Sequence, residues 1–314
     1  MGPTLAIAFG AGLASALLFA TLASGSPMAL ILFYFAALPV LIAGLGWGHY
    51  AGAFAGTIGA LALSVALRSQ FGLFFFFSIG LPAWVLTYAA LSLRPAPRED
   101  DPQAVEWMPA GMILTLVGAC AVLLTLFAIV ALYGLDYTAF QASIRQAVGR
   151  TLDQMRAGNT DREALVALMA AAVPVAAAVV WTFVTTINLY FAGRIVRASG
   201  RLIRPWPDLP SLKLPKWTSL VLLAGSIGSF ASGFPGQLAA IMLAVGLAIY
   251  ALQGFALAHD ITRGWGMRGF ALGLLYALTF VIGWPMIFVA LAGLADVLFD
   301  IRARRKPPAP PFNT

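Results

Sequence analysis

Residues 188–217 read NLYFAGRIVRASGRLIRPWPDLPSLKLPKW. An apolar helix here gives way to a basic, proline-punctuated loop, the pattern of a chain leaving a bilayer. Arg194, Arg197, Arg201 and Arg204 follow one another at spacings of three, four and three. On a helix of 3.6 residues per turn that places all four within an arc of about 80°. Pro205 is expected to stop this helix. Pro207, Pro210 and Pro215 should then keep the backbone extended until Trp217 opens the next apolar run.

The rest of the chain is almost continuous apolar sequence. Hydrophobic residues fill 61% of the 314 positions and charged residues 10%, against about 25% charged in a soluble domain. The mean hydropathy is +0.90. A water-soluble fold is excluded, and the net charge of +7 bears first on membrane topology. Arginine far outnumbers lysine and Ala and Gly are abundant, which suggests a GC-rich bacterial genome. Cys120 is the single cysteine, so no internal disulfide or thiolate metal cluster can form. Only His49 and His259 could add imidazole ligands, and neither a metal nor a cofactor is expected. The apolar stretch from Leu5 to Leu22 has no Lys or Arg before it and is followed at once by more apolar segments. It is read as a first transmembrane helix, not a signal peptide.

A helical span needs about 20 apolar residues. The candidates are 3–23, 27–45, 50–67, 71–93, 109–132, 164–191, 217–234, 236–258, 267–282 and 285–299. The expected fold is therefore all-α, a polytopic helix bundle of about ten spans (eight to ten) in a single domain over 1–306. Gly283, Trp284 and Pro285 mark either a hairpin turn or a kink. With ten spans, one side carries every basic residue except Arg68, Arg145, Arg150, Arg156 and Arg162. The positive-inside rule then places both termini in the cytoplasm of a bacterial inner membrane. Trp47, Trp107, Trp206, Trp217 and Trp265 fall near that cytoplasmic boundary, as an aromatic belt would.

Outside the spans, 94–108 reads as a short mixed-charge, solvated linker, 193–216 as the cytoplasmic basic loop, and 307–314 as a Pro-rich disordered tail. Segment 135–162 carries Phe140, Ile144, Val148, Leu152 and Met155 within about 120° of one another, which predicts an amphipathic helix on the outer membrane surface or capping the bundle. Gly158 and Asn159 should end it, and Thr160 with Glu163 should cap the next span.

Several constellations could carry function. Gly48, Gly52 and Gly56, extended by Gly44 and Gly59, give the third span a smooth face for close helix packing, with a ligand groove as the alternative. Asp296 and Asp300 lie four apart on the last helix and should share a face near its cytoplasmic end, either as functional carboxylates or as boundary salt bridges to Arg263, Arg268 or the arginine stripe. His259 and Asp260 could handle protons or simply end a helix in solvent. Asn188, Gln237 and Gln253 are isolated polar residues suited to interhelical hydrogen bonds. The arginine stripe could bind anionic membrane lipids or an acidic protein partner. Nucleic acid is not expected, because no aromatic residues interleave it for base stacking. No catalytic or nucleotide-binding motif is present, so no enzyme activity is expected.

Asn188 before the arginine-bearing helix exit, Leu214-Pro215-Lys216-Trp217 at the start of the next span, Gln253-Gly254, and Gly293-x-x-Asp296-x-x-x-Asp300-x-Arg302 together resemble the YybS-like family of bacterial membrane proteins of unknown function. The resemblance covers chiefly 188–302. It implies an architecture distantly similar to the substrate-binding subunits of energy-coupling-factor vitamin transporters and to the rod-shape protein MreD. Two functions are expected to compete: a non-enzymatic scaffold or subunit of an envelope or transport complex, acting through the basic surface, and a small-molecule transporter or substrate-capture subunit.

Overall fold

The computed structural model describes residues 2–67, 69–97, 101, 103–134, 136–154 and 161–305. The expectations for Met155, Gly158, Asn159, Thr160 and the tail lie outside these residues. The chain packs as two compact units: 1–134 with 177–206, and 135–176 with 207–314.

In the first unit, α1 (Gly2–Ala20), α2 (Pro27–Tyr34), α3 (Ala37–Trp47), α4 (His49–Ala66), α5 (Ser69–Phe75) and α6 (Leu81–Ala90) are followed by a two-stranded antiparallel ribbon. Its strands, β1 (Leu93–Pro95) and β2 (Val105–Trp107), pair Arg94 opposite Glu106. The segment expected to be a solvated linker is thus a hairpin, held across the strands by a guanidinium–carboxylate bond, Arg94 Nε to Glu106 Oε1 at 2.7 Å. α7 (Ala110–Tyr133) follows. α9 (Arg162–Ala198) begins in the second unit and ends in the first.

Close glycine contacts knit this unit, since lipid provides no hydrophobic drive between helices and backbone approach must supply the attraction. A Cβ on Gly12 would lie 2.5 Å from the Ala55 carbonyl, and one on Gly56 would lie 2.7 Å from Gly80 Cα. Gly52 faces Gly44, and Gly59 faces Phe75. Gly48 is different: it sits at the N-cap of α4 with φ +96 and would meet nothing within 4 Å. Its requirement is backbone conformation, and the packing face runs through Gly52, Gly56 and Gly59.

Two helices of this unit are interrupted where proline removes a donor. Pro39 has no N–H for the Phe35 carbonyl; Leu38 N donates there instead, at 3.0 Å, which strips the Tyr34 carbonyl of its helical partner and separates α2 from α3. Pro82 likewise cannot serve the Ser78 carbonyl, and residues Phe76–Gly80 form a widened π-turn between α5 and α6.

In the second unit, α8 (Tyr137–Gln154) is the amphipathic helix. Phe140, Val148 and Leu152 are buried, the latter two against Leu165, Val166 and Ala170 of α9. Asp136 caps α8, accepting from Thr138 N at 2.9 Å and Ala139 N at 3.0 Å. The Thr138 hydroxyl, with these amides, pulls the Asp136 pKa below the usual carboxylate value. Next come α10 (Thr218–Gly228), α11 (Gly233–Ile261), α12 (Arg268–Ala277, widened at Leu278–Ile282), α13 (Met286–Phe299) and the short α14 (Ile301–Arg305).

Among the described residues, seven helices are long and apolar enough to cross a membrane. Three of the ten expected spans are shorter. The segment expected to cross over 217–234 is an 11-residue helix ending at Gly228, about 16 Å long at 1.5 Å per residue. Residues 229–232 turn, and α11 begins at Gly233. Arg268–Ile282 and Met286–Phe299 are two separate helices, divided at Gly283 (φ 84, ψ −61), where Trp284 N donates to the Ile282 carbonyl in a γ-turn.

α11 organises this unit. Gly225, Gly228 and Gly246 bring α10 against it, and Phe255 stacks on Tyr276 and Phe280. α13 approaches so closely that a Cβ on Gly254 would lie 1.9 Å from the Val289 carbonyl, and one on Gly293 2.1 Å from the Tyr250 carbonyl. Alanine favours a helix over glycine by about 1 kcal/mol, but this clash is with backbone and forces the helices apart, which costs about 1–3 kcal/mol. Gly293→Ala is therefore expected to lower the thermal unfolding midpoint in detergent, while Gly273→Ala, with open space around it, should leave it unchanged or raise it.

Candidate functional site

The polar residues singled out in the sequence fall into separate clusters. In the first unit, Asn188 is 1% exposed on α9. Its Nδ2 donates to the Tyr34 carbonyl and to Val184 O, both at 2.8 Å. It thus supplies the hydrogen bond lost at the α2–α3 break. Trp181, two turns earlier on the same face, donates Nε1 to the Ser78 carbonyl at 3.2 Å. One face of α9 therefore serves both carbonyls left by the two prolines. Nothing in the sequence marked Trp181, because its partner is a backbone atom 103 residues away. Asn188 Oδ1 is buried and has no partner among the described residues.

The arginine stripe is divided by its own helix end. α9 stops at Ala198, well before the expected stop at Pro205. Gly200 takes φ +69, Gly200 N donates to Arg197 O and Arg201 N to Val196 O. This is a Schellman cap, for which glycine is suited because it has no Cβ penalty at positive φ. The signal was present as Ser199-Gly200 after a basic last turn. Arg194 and Arg197 stay on the helix, while Arg201 and Arg204 leave it.

Their surroundings differ accordingly. Arg197 lies over the Trp206 ring at 5.6 Å and Arg201 over Trp47 at 4.6 Å. Trp206 sits above Gly193, where a Cβ would come within 2.9 Å of it, and meets Tyr190 edge-on at 5.6 Å. Arg204 turns inward: Nη1 donates to Ala90 O at 2.9 Å and Nη2 to Met108 O at 3.1 Å, closing the end of α6. Burial lowers its pKa, but arginine keeps its charge in proteins.

In the second unit, Gln253, Asp296 and Arg302 form a buried network. Asp296 is 1% exposed and Gln253 0%. Asp296 Oδ2 accepts from Gln253 Nε2 at 2.6 Å and from Arg302 Nε at 2.9 Å and Nη2 at 2.6 Å. Gln253 Oε1 accepts from Leu214 N at 2.9 Å. Arg302 reaches on to the carbonyls of Pro210 and Leu212. The network fastens the proline-rich loop to α11 and α13, and leaves Leu214 2% exposed.

Asp296 and Asp300 do not share a face. Asp300 caps α13 in the left-handed region at φ 53, a conformation Asp tolerates. That reversal carries Arg302 back onto Asp296 and sends the Asp300 carboxylate to Lys213 and Lys216. His259 and Asp260 also separate. His259 Nε2 meets the Tyr276 hydroxyl at 2.9 Å, with Arg268 beside the ring, whereas Asp260 pairs with Arg263. Arg263 also reaches Asp208 at 3.0 Å. Gln237 is buried near the start of α11.

Chemically, these arrangements bind backbone. The Gln253–Asp296–Arg302 network aims its donors at carbonyls and a carboxylate and its amide acceptor at an N–H. Breaking a buried ion pair by removing one partner costs about 3–5 kcal/mol, because the other charge stays buried. Asp296→Ala or Arg302→Ala is expected to destabilise the protein by that amount and, by unfastening the loop backbone, to speed tryptic cleavage after the already exposed Lys213 and Lys216. The double replacement Asp296→Leu with Arg302→Met should cost less than the sum of the single changes, as read by unfolding in detergent.

A family model described as predicted membrane protein (DUF2232) matches residues 12–297. No curated protein and no solved structure matches the chain. With the match running across nearly every described helix, the chain belongs to the DUF2232 family of membrane proteins.

Proposed function

We propose that this protein is a non-enzymatic scaffold or subunit of an envelope or transport complex in the bacterial inner membrane, working through the basic surface at the end of α9. The observation that supports this is that the arginines at the end of α9 are unpaired and two of them, Arg197 and Arg201, stand beside aromatic rings, whereas Arg145, Arg150 and Arg304, also exposed and without a carboxylate among the described residues, have no cation–π partner there. Arg94, Arg162, Arg263 and Arg302 each pair with a carboxylate. Arg194, Arg197 and Arg201 are exposed, and none of them has a carboxylate partner among the described residues. Surface charge left unpaired beside aromatic rings suits recognition of an anionic partner. The basic distribution along the sequence supports a cytoplasmic position for this surface and for both termini, with the three shorter apolar helices completing a ten-span topology.

Charge reversal by Arg197→Glu with Arg201→Glu is expected to abolish co-purification of a protein partner in mild detergent while membrane insertion and yield remain unchanged. Undiminished co-purification would sink the scaffold reading.

A second reading, transport or capture of a small molecule as in the energy-coupling-factor binding subunits, is favoured by the unpartnered Asn188 Oδ1 beside a broken helix. Interrupted helices deep in a membrane are where transporters hold substrates. On this reading mass spectrometry of the purified protein detects a retained small molecule that Asn188→Ala abolishes; a preparation free of any such molecule counts against it.

A further inference from the structure

The end of α9 joins two chemistries on one surface. Ile187, Tyr190, Phe191 and Ile195 are exposed apolar or aromatic side chains on the helix. Arg194 follows Tyr190 by four residues, Phe191 by three and Ile187 by seven, so it stands directly beyond them on the same face. Arg197 lies one turn further, and the Schellman cap at Gly200 delivers Arg201 next to Trp47. The opposite face of the helix, with Ala192 and Val196, is buried. An apolar strip thus leads to Arg194 and Arg197, with Arg201 just past the helix end.

The aromatic partners matter for what the cations can bind. A guanidinium drawn to an aromatic ring is held there by the ring's quadrupole without using up its N–H groups in hydrogen bonds, and neither Arg197 nor Arg201 has a side-chain hydrogen bond among the described residues. Two such groups, at Arg197 and Arg201, have forks free for paired hydrogen bonds to oxygens of a phosphate. Trp206 is fixed over Gly193 and against Tyr190, so the surface is built before any ligand arrives.

We propose that this surface is a binding site for an anionic phospholipid. Arg194, Arg197 and Arg201 hold the phosphate oxygens, and Ile187, Tyr190 and Phe191 lie along an acyl chain. The proposal rests on the reading of the α9 end as the working surface and names its first ligand. Free phosphate would satisfy the arginines but leave the apolar strip unused. An acidic protein would use the arginines from the aqueous side and be indifferent to Phe191.

The test uses the full chain reconstituted in phosphatidylcholine nanodiscs with and without phosphatidylglycerol, scored by lipid retained after exchange into detergent and by the thermal midpoint. Each arginine near an anionic headgroup is worth roughly a fivefold change in affinity. The triple change Arg194→Gln, Arg197→Gln, Arg201→Gln should therefore cut phosphatidylglycerol retention roughly a hundredfold. The control Arg145→Gln with Arg150→Gln should not change it. Phe191→Ala should weaken lipid retention with the arginines intact, and inorganic phosphate should protect the protein much less than the lipid does. Equal retention by the triple variant and the parent would overturn the proposal, as would full protection by phosphate alone. Loss of a co-purifying protein with lipid retention unchanged would overturn the lipid site and spare the scaffold. The reverse result would do the opposite.

Discussion

A backbone polar group without a hydrogen-bond partner is the constraint around which this protein is arranged. In lipid no water is at hand to replace a lost backbone hydrogen bond, and each unsatisfied group costs several kcal/mol. Pro39 and Pro82 remove donors inside helices, and α9 answers with Asn188 and Trp181. Arg204 serves the end of α6. Gln253 and Arg302 serve the proline-rich loop. The same physical demand explains most of the polar residues that stand out in so apolar a sequence.

Polar residues in such a chain must be weighed against that demand. An ionisable side chain within a membrane segment is a functional candidate by default, and Asp296, buried on the apolar helix α13, invites that reading. Its surroundings nevertheless give it a structural role. Four donors converge on the carboxylate from Gln253 and Arg302, and those two residues carry the connection to the backbone of the loop. His259, Asp260 and Asp300 are likewise committed to different partners. Among the described arginines of the first unit, Arg194, Arg197 and Arg201 stay outward without a carboxylate, the latter two beside aromatic rings, which is why a functional reading gathers there.

Much was legible in composition and spacing. The apolar runs announced membrane helices, and the placement of Phe140, Ile144, Val148 and Leu152 announced α8. The glycine face of α4 was visible too, although Gly48 proved to serve a turn. The tight backbone contacts at Gly254 and Gly293 drew attention only as parts of a motif, since spacing along one helix says nothing about which neighbour arrives. Arg94 and Glu106 read as scattered linker charges because a cross-strand pair needs a hairpin that two three-residue strands barely announce.

Helical nature and membrane residence follow from the sequence by itself, because both depend on local quantities: hydropathy per segment, the side-chain period, and the positions of proline and glycine. Tertiary structure alone decided what the polar residues do. Asn188 meets Tyr34 across 154 residues and Arg302 meets Pro210 across 92. Whether a polar side chain in a membrane protein binds a ligand or mends a helix depends on what the fold brings within about 3 Å of it, and no local pattern carries that distance.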